Sequence, residues 1–282
     1  MIYFLTINYY STNLVTHLIN SIQSSKDLTY KVVIVNNSPN DDSIHSLKNE
    51  SVLILESGVN LGFGKGCNLG LNWIYQHDTQ AIVWIINPDA YLLPDSLEKI
   101  NLFFDSYPVS ILGTVIYTPS GKIWFAGGCF NQPNGAIFNL DILTLSETAY
   151  AACDWVSGCS LLINLSKFCE CPQFDPAYFL YYEDFDFCRR YANQGHLIAV
   201  TKHLGVIHQP STITNRNKFK KYQYSTYSYL LTMEKYTNSQ VLILRLTRLI
   251  AHALLLILVK PKVAFGKLYG VLLYLGRSRQ NK

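Results

Sequence analysis

The run Ile82 to Tyr91, IVWIINPDAY, limits the fold more than any other stretch of the chain. Val83, Trp84, Ile85 and Ile86 are unbroken apolar residues, which predicts a central strand covered on both faces rather than one with a wet side. Asn87-Pro88-Asp89 then stops it, because all three residue types favour turns. In open α/β sheets, ligands bind beyond the carboxyl ends of the strands, so Asp89 reaches the ligand edge and is a candidate metal or phosphate residue. A plain turn accounts for the same three residues equally well on their own.

Upstream, the chain alternates strand and helix. Ile2 to Ile7 reads as a strand, followed by a helix in which Leu14, Leu18 and Ile22 recur at helical spacing. The β-branched run Lys31 to Val35 ends in the turn formers Asn36-Asn37-Ser38-Pro39. Val52 to Leu55 offers a third strand, and Asn60-Leu61-Gly62-Phe63-Gly64 opens a helix predicted to run through His77. Strands alternating with helices predict a parallel, doubly wound sheet with its loops gathered at one edge. Glycines 62, 64 and 66 can bring backbone N–H groups close to phosphate at a helix start. Their spacing is neither a dinucleotide fingerprint nor a P-loop, and a tight turn needs no ligand.

Hydrophobic residues make up 49% of the 282 and charged ones 15%, which excludes a disordered chain and implies unusually apolar surface. The net charge of +4 hides an asymmetry: no acid follows Glu234, while residues 241–282 carry Arg245, Arg248, Lys260, Lys262, Lys267, Arg277, Arg279 and Lys282. The body is therefore acidic and the tail basic, and no nucleic-acid partner is expected. Seven cysteines lack paired zinc spacing, Cys169-Glu170-Cys171 being too tight, so reduced thiols in a cytosolic compartment are expected. The first residues have neither a basic start nor a long apolar stretch, so no secretory signal is expected.

Residues 92–150 yield a helix from Leu97 to Phe104, then a segment at Ser110 to Gly113, and no clear pattern beyond. Asp154-Trp155-Val156-Ser157-Gly158 reads as an exposed loop entering an apolar strand that ends near Ile163. In Tyr178 to Arg190, the acids Glu183, Asp184 and Asp186 lie among aromatics and precede Arg189 and Arg190. With a helix starting near Glu183, the carboxylates meet the positive end of its dipole. Packing against aromatics desolvates them and raises their pKa, which suits a general base. Helix capping with pairing to Arg189 or Arg190 is the plainer reading. His208 ends another strand, and Asn215 to Lys221 reads as a basic loop, able to meet diphosphate or simply solvated.

In order along the chain, INYYS, VVIVNNSPNDDS, NLGFGKGCNLG and WIINPDA resemble the nucleotide-binding half of inverting glycosyltransferases of family 2, especially the bacterial rhamnosyltransferase-like branch. The YYEDFD segment resembles that family's Glu-Asp motif. The resemblance implies an α/β GT-A fold over residues 1–236, with a mostly parallel nucleotide-binding sheet flanked by helices. It implies a nucleoside-diphosphate sugar donor, dTDP- or UDP-linked and by branch dTDP-rhamnose, held by Asn8, Asn36, Asn60, Gly62, Asn68, Asn87 and Asp89. A divalent cation, Mg2+ or Mn2+, would sit at Asp89 with His208 completing the site. Asp184 would be the base, with Glu183 as its neighbour, and Asp154, Trp155, Ser157 and Gly158 would line the acceptor pocket. Asn36 stands where the family commonly has an aspartate that accepts from the pyrimidine ring, and an amide oxygen can accept the same proton. The expected acceptor is a glycan or lipid-linked glycan. A nucleotidyltransferase and a non-catalytic nucleotide-sugar-binding subunit are the alternatives.

Residues 237–282 form the expected C-terminal extension. Val241 to Val259 is apolar, with Arg245, Arg248 and His252 three and four apart and so on one helical face. Two arginines near the middle disfavour a spanning helix and favour an amphipathic helix lying in a membrane interface. The expectation is a protein peripheral to the inner face of the cell membrane, on anionic lipid. A helix pair packed on the catalytic domain is the alternative.

Overall fold

A computed structural model describes residues 1–22, 29–94, 96–141, 143, 148–209 and 214–280. Its first part is β1 (Ile2–Asn8), α1 (Thr12–Ile22), β2 (Tyr30–Asn36), β3 (Val52–Glu56), α2 (Phe63–His77) and β4 (Ile82–Ile86). These strands pair in parallel in the order β3-β2-β1-β4. Every residue of β1 is buried, as expected for a strand with helices on both faces. Val15, Leu18, Ile19 and Ile22 form the inward face of α1, the three-and-four spacing of an amphipathic helix.

The second part is β5 (Ala90–Leu92), α3 (Ser96–Ser106), β6 (Ile111–Tyr117), β7 (Ile123–Phe125), β8 (Gly128–Asn131), β9 (Ala136–Asn139), β10 (Tyr150–Ala152), β11 (Ser160–Asn164), α4 (Glu183–Asn193) and β12 (Ile198–His208). The ten-stranded sheet runs β10-β12-β6-β11-β4-β1-β2-β3, with β5 added to β12 and β7 to β6. It is mixed: β1, β2, β3, β4, β6 and β12 point one way, and β11 runs between β4 and β6 the other way. The central-strand reading of Val83 to Ile86 holds, with all four side chains fully buried. Trp84 stacks on Phe4 with ring centroids 5.4 Å apart and donates its indole N–H to Ser160 Oγ at 2.9 Å, so the largest central side chain leaves no orphaned polar atom.

Three expectations need correction. The patternless region after Gly113 holds β7 and an antiparallel β8–β9 hairpin, strands of three or four residues, too short to display a period. The loop before β11 is not exposed: Val156 is fully buried and Ser157 nearly so, because the loop lies beneath α4. Asn215 to Lys221 is not a loop either. Thr214–Asn217 forms one 3-10 turn and Lys218 begins α5 (Lys218–Tyr236), with Asn217 capping by accepting from Lys220 N at 3.0 Å. The adjoining Pro210, Ser211 and Thr212 lie outside the described residues.

Two helices follow, α6 (Ser239–Leu255) and α7 (Pro261–Gln280). A small second core joins them to α5: Leu230, Val271 and Tyr274 are buried against Leu242, Leu246, Leu249 and Ile250. Close approach of α7 is possible because a side-chain carbon at Gly266 or Gly270 would collide with the Phe219 and Gln223 carbonyls of α5. The expected basic stripe is divided. Arg245 turns to the body and donates to the Asn134 carbonyl at 2.6 and 3.1 Å, while Arg248 and His252 are exposed. Asn134 belongs to the turn of the β8–β9 hairpin, whose Gly135 packs against Met233, Thr237 and Val241. Among the described residues no helix is long and apolar enough to cross a membrane. The side chain of Arg279 and residue Lys282 lie outside the described residues.

Candidate functional site

Two carboxylates from distant segments, Asp89 and Asp184, are tied to one loop, residues 158 and 159, at the carboxyl edge of the sheet. Asp89 follows β4, and β5 immediately beyond it pairs antiparallel with β12, placing Ala90 opposite His208. The Gln209 N–H donates to the Asp89 carbonyl at 3.0 Å. This pairing brings His208 Nε2 to 3.1 Å from Asp89 Oδ1, with both residues buried. His208 Nδ1 is buried and has no hydrogen-bond partner among the described residues. Two cis ligands on an octahedral ion with bonds of about 2.1 Å lie about 3 Å apart, so the pair fits two corners of one divalent cation. Among the described residues no third His, Cys, Asp or Glu joins them. The other positions are left for phosphate oxygens and water, the usual arrangement for nucleotide-bound ions.

Asp184 stands in the first turn of α4. Its Oδ2 accepts from the Gly158 N–H at 2.9 Å and its Oδ1 from its neighbour Phe185 N–H at 2.8 Å. One residue on, the Cys159 carbonyl accepts from Asn87 N–H at 3.0 Å. The end of the loop before β11 thus pins Asp184 on one side and the Asn87-Pro88-Asp89 turn on the other. Burial raises the Asp184 carboxyl above its ordinary value, opposed by those backbone N–H groups. Glu183 is pushed well above the carboxylate range, first by burial and then by the Asp184 charge, and its Oε2 has no partner among the described residues. Burial thus raises both carboxyls, Glu183 the more strongly because the Asp184 charge adds to its burial. Both preceding residues, Tyr181 and Tyr182, have left-handed backbones with φ of 70° and 64°, a conformation that costs a side-chain-bearing residue free energy and clusters at functional sites.

Asp186 belongs to another set of contacts. Fully buried, it accepts from Arg190 Nε at 2.7 Å, Lys235 Nζ at 2.6 Å and Tyr236 Oη at 2.8 Å. It ties α4 to α5, and the reading that an acid here pairs with Arg190 holds for this residue.

The residues expected to hold the donor divide in two. Asn87 and Asp89 lie in the turn that ends β4, Asp89 against His208. Asn8 and Asn36 are buried and bonded to each other, Asn8 Nδ2 donating to Asn36 Oδ1 at 3.0 Å. Asn36 Oδ1 also accepts from Ser38 N–H at 3.2 Å, and its Nδ2 donates to both Glu56 oxygens at 3.1 Å. Both lone pairs of that amide oxygen are thereby engaged within the protein, so Asn36 shapes the β1 and β2 loops. Asn68 is likewise engaged, donating to the Phe174 carbonyl at 2.8 Å and accepting from the Phe174 N–H at 2.7 Å. Asn60 accepts from Gly62 N–H at 3.0 Å, and Gly62, at φ 80°, lies so close to the Phe179 carbonyl that a side chain there would collide. Together these residues dock the start of α2 on the segment leading into α4.

The expected acceptor loop is similarly occupied. Asp154 accepts from Arg189 Nη1 at 2.7 Å and Phe130 N–H at 2.8 Å. Ser157 Oγ accepts from Cys159 N–H at 3.3 Å, and Trp155 packs on Phe125 with ring centroids 5.0 Å apart. Of this group Gly158 touches the carboxylate of Asp184 directly. Sequence reasoning missed Trp124, 38% exposed on β7 with its ring edge-on to His208 at 5.1 Å between centroids. An exposed tryptophan in an otherwise patternless segment was the only available signal for it. Arg216, within the basic stretch Asn215 to Lys221 singled out above, donates to the Tyr10 carbonyl at 2.9 Å and so sits over the β1 loop.

Comparison with known proteins bears on this arrangement. The family model described as Glycosyl transferase family 2 matches residues 4–150, just over half of the chain. The low-salt glycan biosynthesis hexosyltransferase Agl10 of Haloferax volcanii is 23% identical over 188 residues, 65% of this chain and 59% of that protein. The N-acetylglucosaminyl-diphospho-decaprenol L-rhamnosyltransferase of Mycobacterium tuberculosis is 26% identical over 192 residues, 59% of this chain and 62% of that one. The chain therefore spans about six tenths of the length of these relatives. Among solved structures, GalNAc-T7 crystallised with UDP, GalNAc and Mn2+ superposes with a TM-score of 0.62 at 12% identity, covering 83% of this chain and 47% of that one. The fold is the GT-A arrangement of an α/β sheet, as expected from the sequence. A parallel β3-β2-β1-β4 unit ending in Asn87-Pro88-Asp89, and a family match spanning that unit, lead to one conclusion: the chain belongs to glycosyl transferase family 2.

Proposed function

We propose that the protein is an inverting glycosyltransferase that moves a sugar, rhamnose from dTDP-rhamnose being favoured, to a hydroxyl of a lipid-linked glycan in cell-surface polysaccharide synthesis. The observation that carries this reading is the end of the loop before β11, where Gly158 N–H holds the Asp184 carboxylate and the next residue holds Asn87. A base and a diphosphate-binding turn are thus fixed at one edge. In this reaction Asp184 takes the proton of the acceptor hydroxyl, whose oxygen attacks the anomeric carbon from the face opposite the phosphate. The new C–O bond forms as the sugar–phosphate bond breaks, and the nucleoside diphosphate departs with the electron pair, so a single displacement inverts the centre. Asp89 and His208 would hold a divalent cation, which would supply Lewis-acid stabilisation of charge on that diphosphate; a carboxylate with an imidazole would suit Mn2+ better than Mg2+.

The rhamnosyl and lipid-linked assignments draw support from the name of the mycobacterial relative. In this reading residues 1–236 are the catalytic unit and 237–282 an extension that keeps the protein on the inner face of the cell membrane. Calorimetric titration of a panel of dTDP- and UDP-sugars, followed by turnover assays on the donors that bind, tests the proposal. Binding without turnover on any acceptor would favour the non-catalytic subunit, and release of pyrophosphate from a nucleotide triphosphate would favour the nucleotidyltransferase. Asp89→Ala is expected to weaken Mn2+-dependent binding of the nucleoside diphosphate by roughly tenfold or more, with His208→Ala smaller in effect. If neither variant nor a chelator changes that affinity, the cation part of the proposal is wrong.

A further inference from the structure

Where α6 passes into the turn before α7, several apolar side chains stand in solvent. Leu255 is 77% exposed, Leu258 94% and Val259 74%, with Leu254 half exposed beside them. Single exposed leucines are ordinary, but four within six residues form a contiguous patch of the kind that marks an interaction surface. These side chains are not surplus core. The inward faces of both helices are already filled by the contacts of Leu242, Leu246, Leu249 and Ile250 with Leu230, Val271 and Tyr274, and Arg245 is spent on the Asn134 carbonyl.

Charge indicates what covers the patch. No carboxylate follows Glu234 in the sequence, and the exposed Lys260 and Lys262 stand directly beside Val259. Arg277, by contrast, is paired with Glu234 at the other end of α7. An apolar tip flanked by Lys260 and Lys262, which have no ion-pair partner among the described residues, complements an anionic lipid surface, where leucines enter the acyl boundary and ammonium groups meet phosphates. A second copy of the chain fits less well, because apposed tips would bring two sets of Lys260 and Lys262 together.

We propose that the α6–α7 turn is a membrane-inserting wedge, with Leu254, Leu255, Leu258 and Val259 buried in an anionic leaflet and Lys260 and Lys262 at its phosphates. This deepens the membrane reading given above and rests on it. It also replaces the face marked by Arg245, Arg248 and His252 with the end of the helix pair as the contact.

The full chain is tested by flotation with phosphatidylcholine vesicles, with and without 30% phosphatidylglycerol, as wild type, as Leu255→Asp/Leu258→Asp and as Ile243→Asp. Ile243 is an exposed residue at the far end of α6. Wild type and Ile243→Asp are expected to float with the anionic vesicles. The double variant should lose at least about tenfold in bound fraction, keeping its circular dichroism and its turnover of a soluble acceptor. Substituting Leu258 by Trp should add fluorescence that brominated lipid quenches. Flotation of the double variant equal to wild type, with no quenching at position 258, overturns the wedge and leaves the membrane reading standing. Failure of wild type to float overturns that reading itself, and a concentration-dependent dimer abolished by the double variant overturns both in favour of self-association.

Discussion

Asp184→Asn is expected to lower the turnover number by about a hundredfold or more while leaving the dissociation constant for the nucleotide sugar within a few-fold of wild type. The factor is the usual cost of losing a positioned base. The change keeps the shape of the side chain and removes its basicity. It also leaves one of the two backbone donors, Gly158 or Phe185 N–H, facing an amide NH2, so a stability loss of about 1 kcal/mol should accompany it. Turnover within a few-fold of the parent would transfer the role to Glu183. The pH dependence provides a second check. Burial raises the Asp184 carboxyl, so activity should rise with pH through an apparent pKa above that of an ordinary aspartate. Glu183 is raised as well, by burial and by the Asp184 charge, so Glu183→Gln, which keeps the shape and removes that neighbour's charge, is the control that separates the two carboxyls. The stability effect has the opposite sense: with folded pKa values above the unfolded ones, ionisation of the pair opposes folding, and the cost is relieved as pH falls through the folded values.

The second large effect concerns folding rather than catalysis. Asp186→Ala removes the one anion shared by Arg190, Lys235 and Tyr236. Breaking a buried ion pair by deleting one partner costs roughly 3–5 kcal/mol. The side chains of Arg190 and Lys235 keep 26% and 34% exposure and can recover part of their hydration, which places the loss near the lower end. A drop in melting temperature of roughly 5–10 °C should follow. Lys235 retains Asp175 as a partner at 2.7 Å, so Lys235→Met should cost less than Asp186→Ala. A melting temperature within about 2 °C of wild type for Asp186→Ala would show that this network contributes no net stability.

The sequence was readable where the signal was local. The Val83 to Ile86 run, its abrupt stop and the acids at the head of α4 each announce themselves within ten residues, and the fold places them as expected. What decides their use is non-local. Asp89 meets His208 across 119 positions only because β5 reverses onto β12, and three residues of β5 are too few to advertise a strand. The amide oxygen of Asn36 looks available until Asn8, 28 residues earlier, is seen to donate to it. Helical spacing correctly groups Arg245 with Arg248. It cannot indicate that the Asn134 carbonyl, 111 residues away, draws the first of them inward.

That carbonyl lies in the turn of the β8–β9 hairpin, and the hairpin has a second attachment. Its Phe130 ring packs on Phe185, next in sequence to Asp184, at 5.1 Å between centroids, and its Phe130 N–H donates to Asp154. A chain cut after Tyr236 would strip Thr237, Val241 and Arg245 from the hairpin turn, leaving the Asn134 carbonyl without its guanidinium and Gly135 with Met233 alone of its three neighbours. The helix pair together with residues 128–139 therefore behaves as one packed unit in this chain. Chimaeras that transplant α6 and α7 alone would inherit a mismatched seam beside the base, whereas those that carry the hairpin with them would keep it intact.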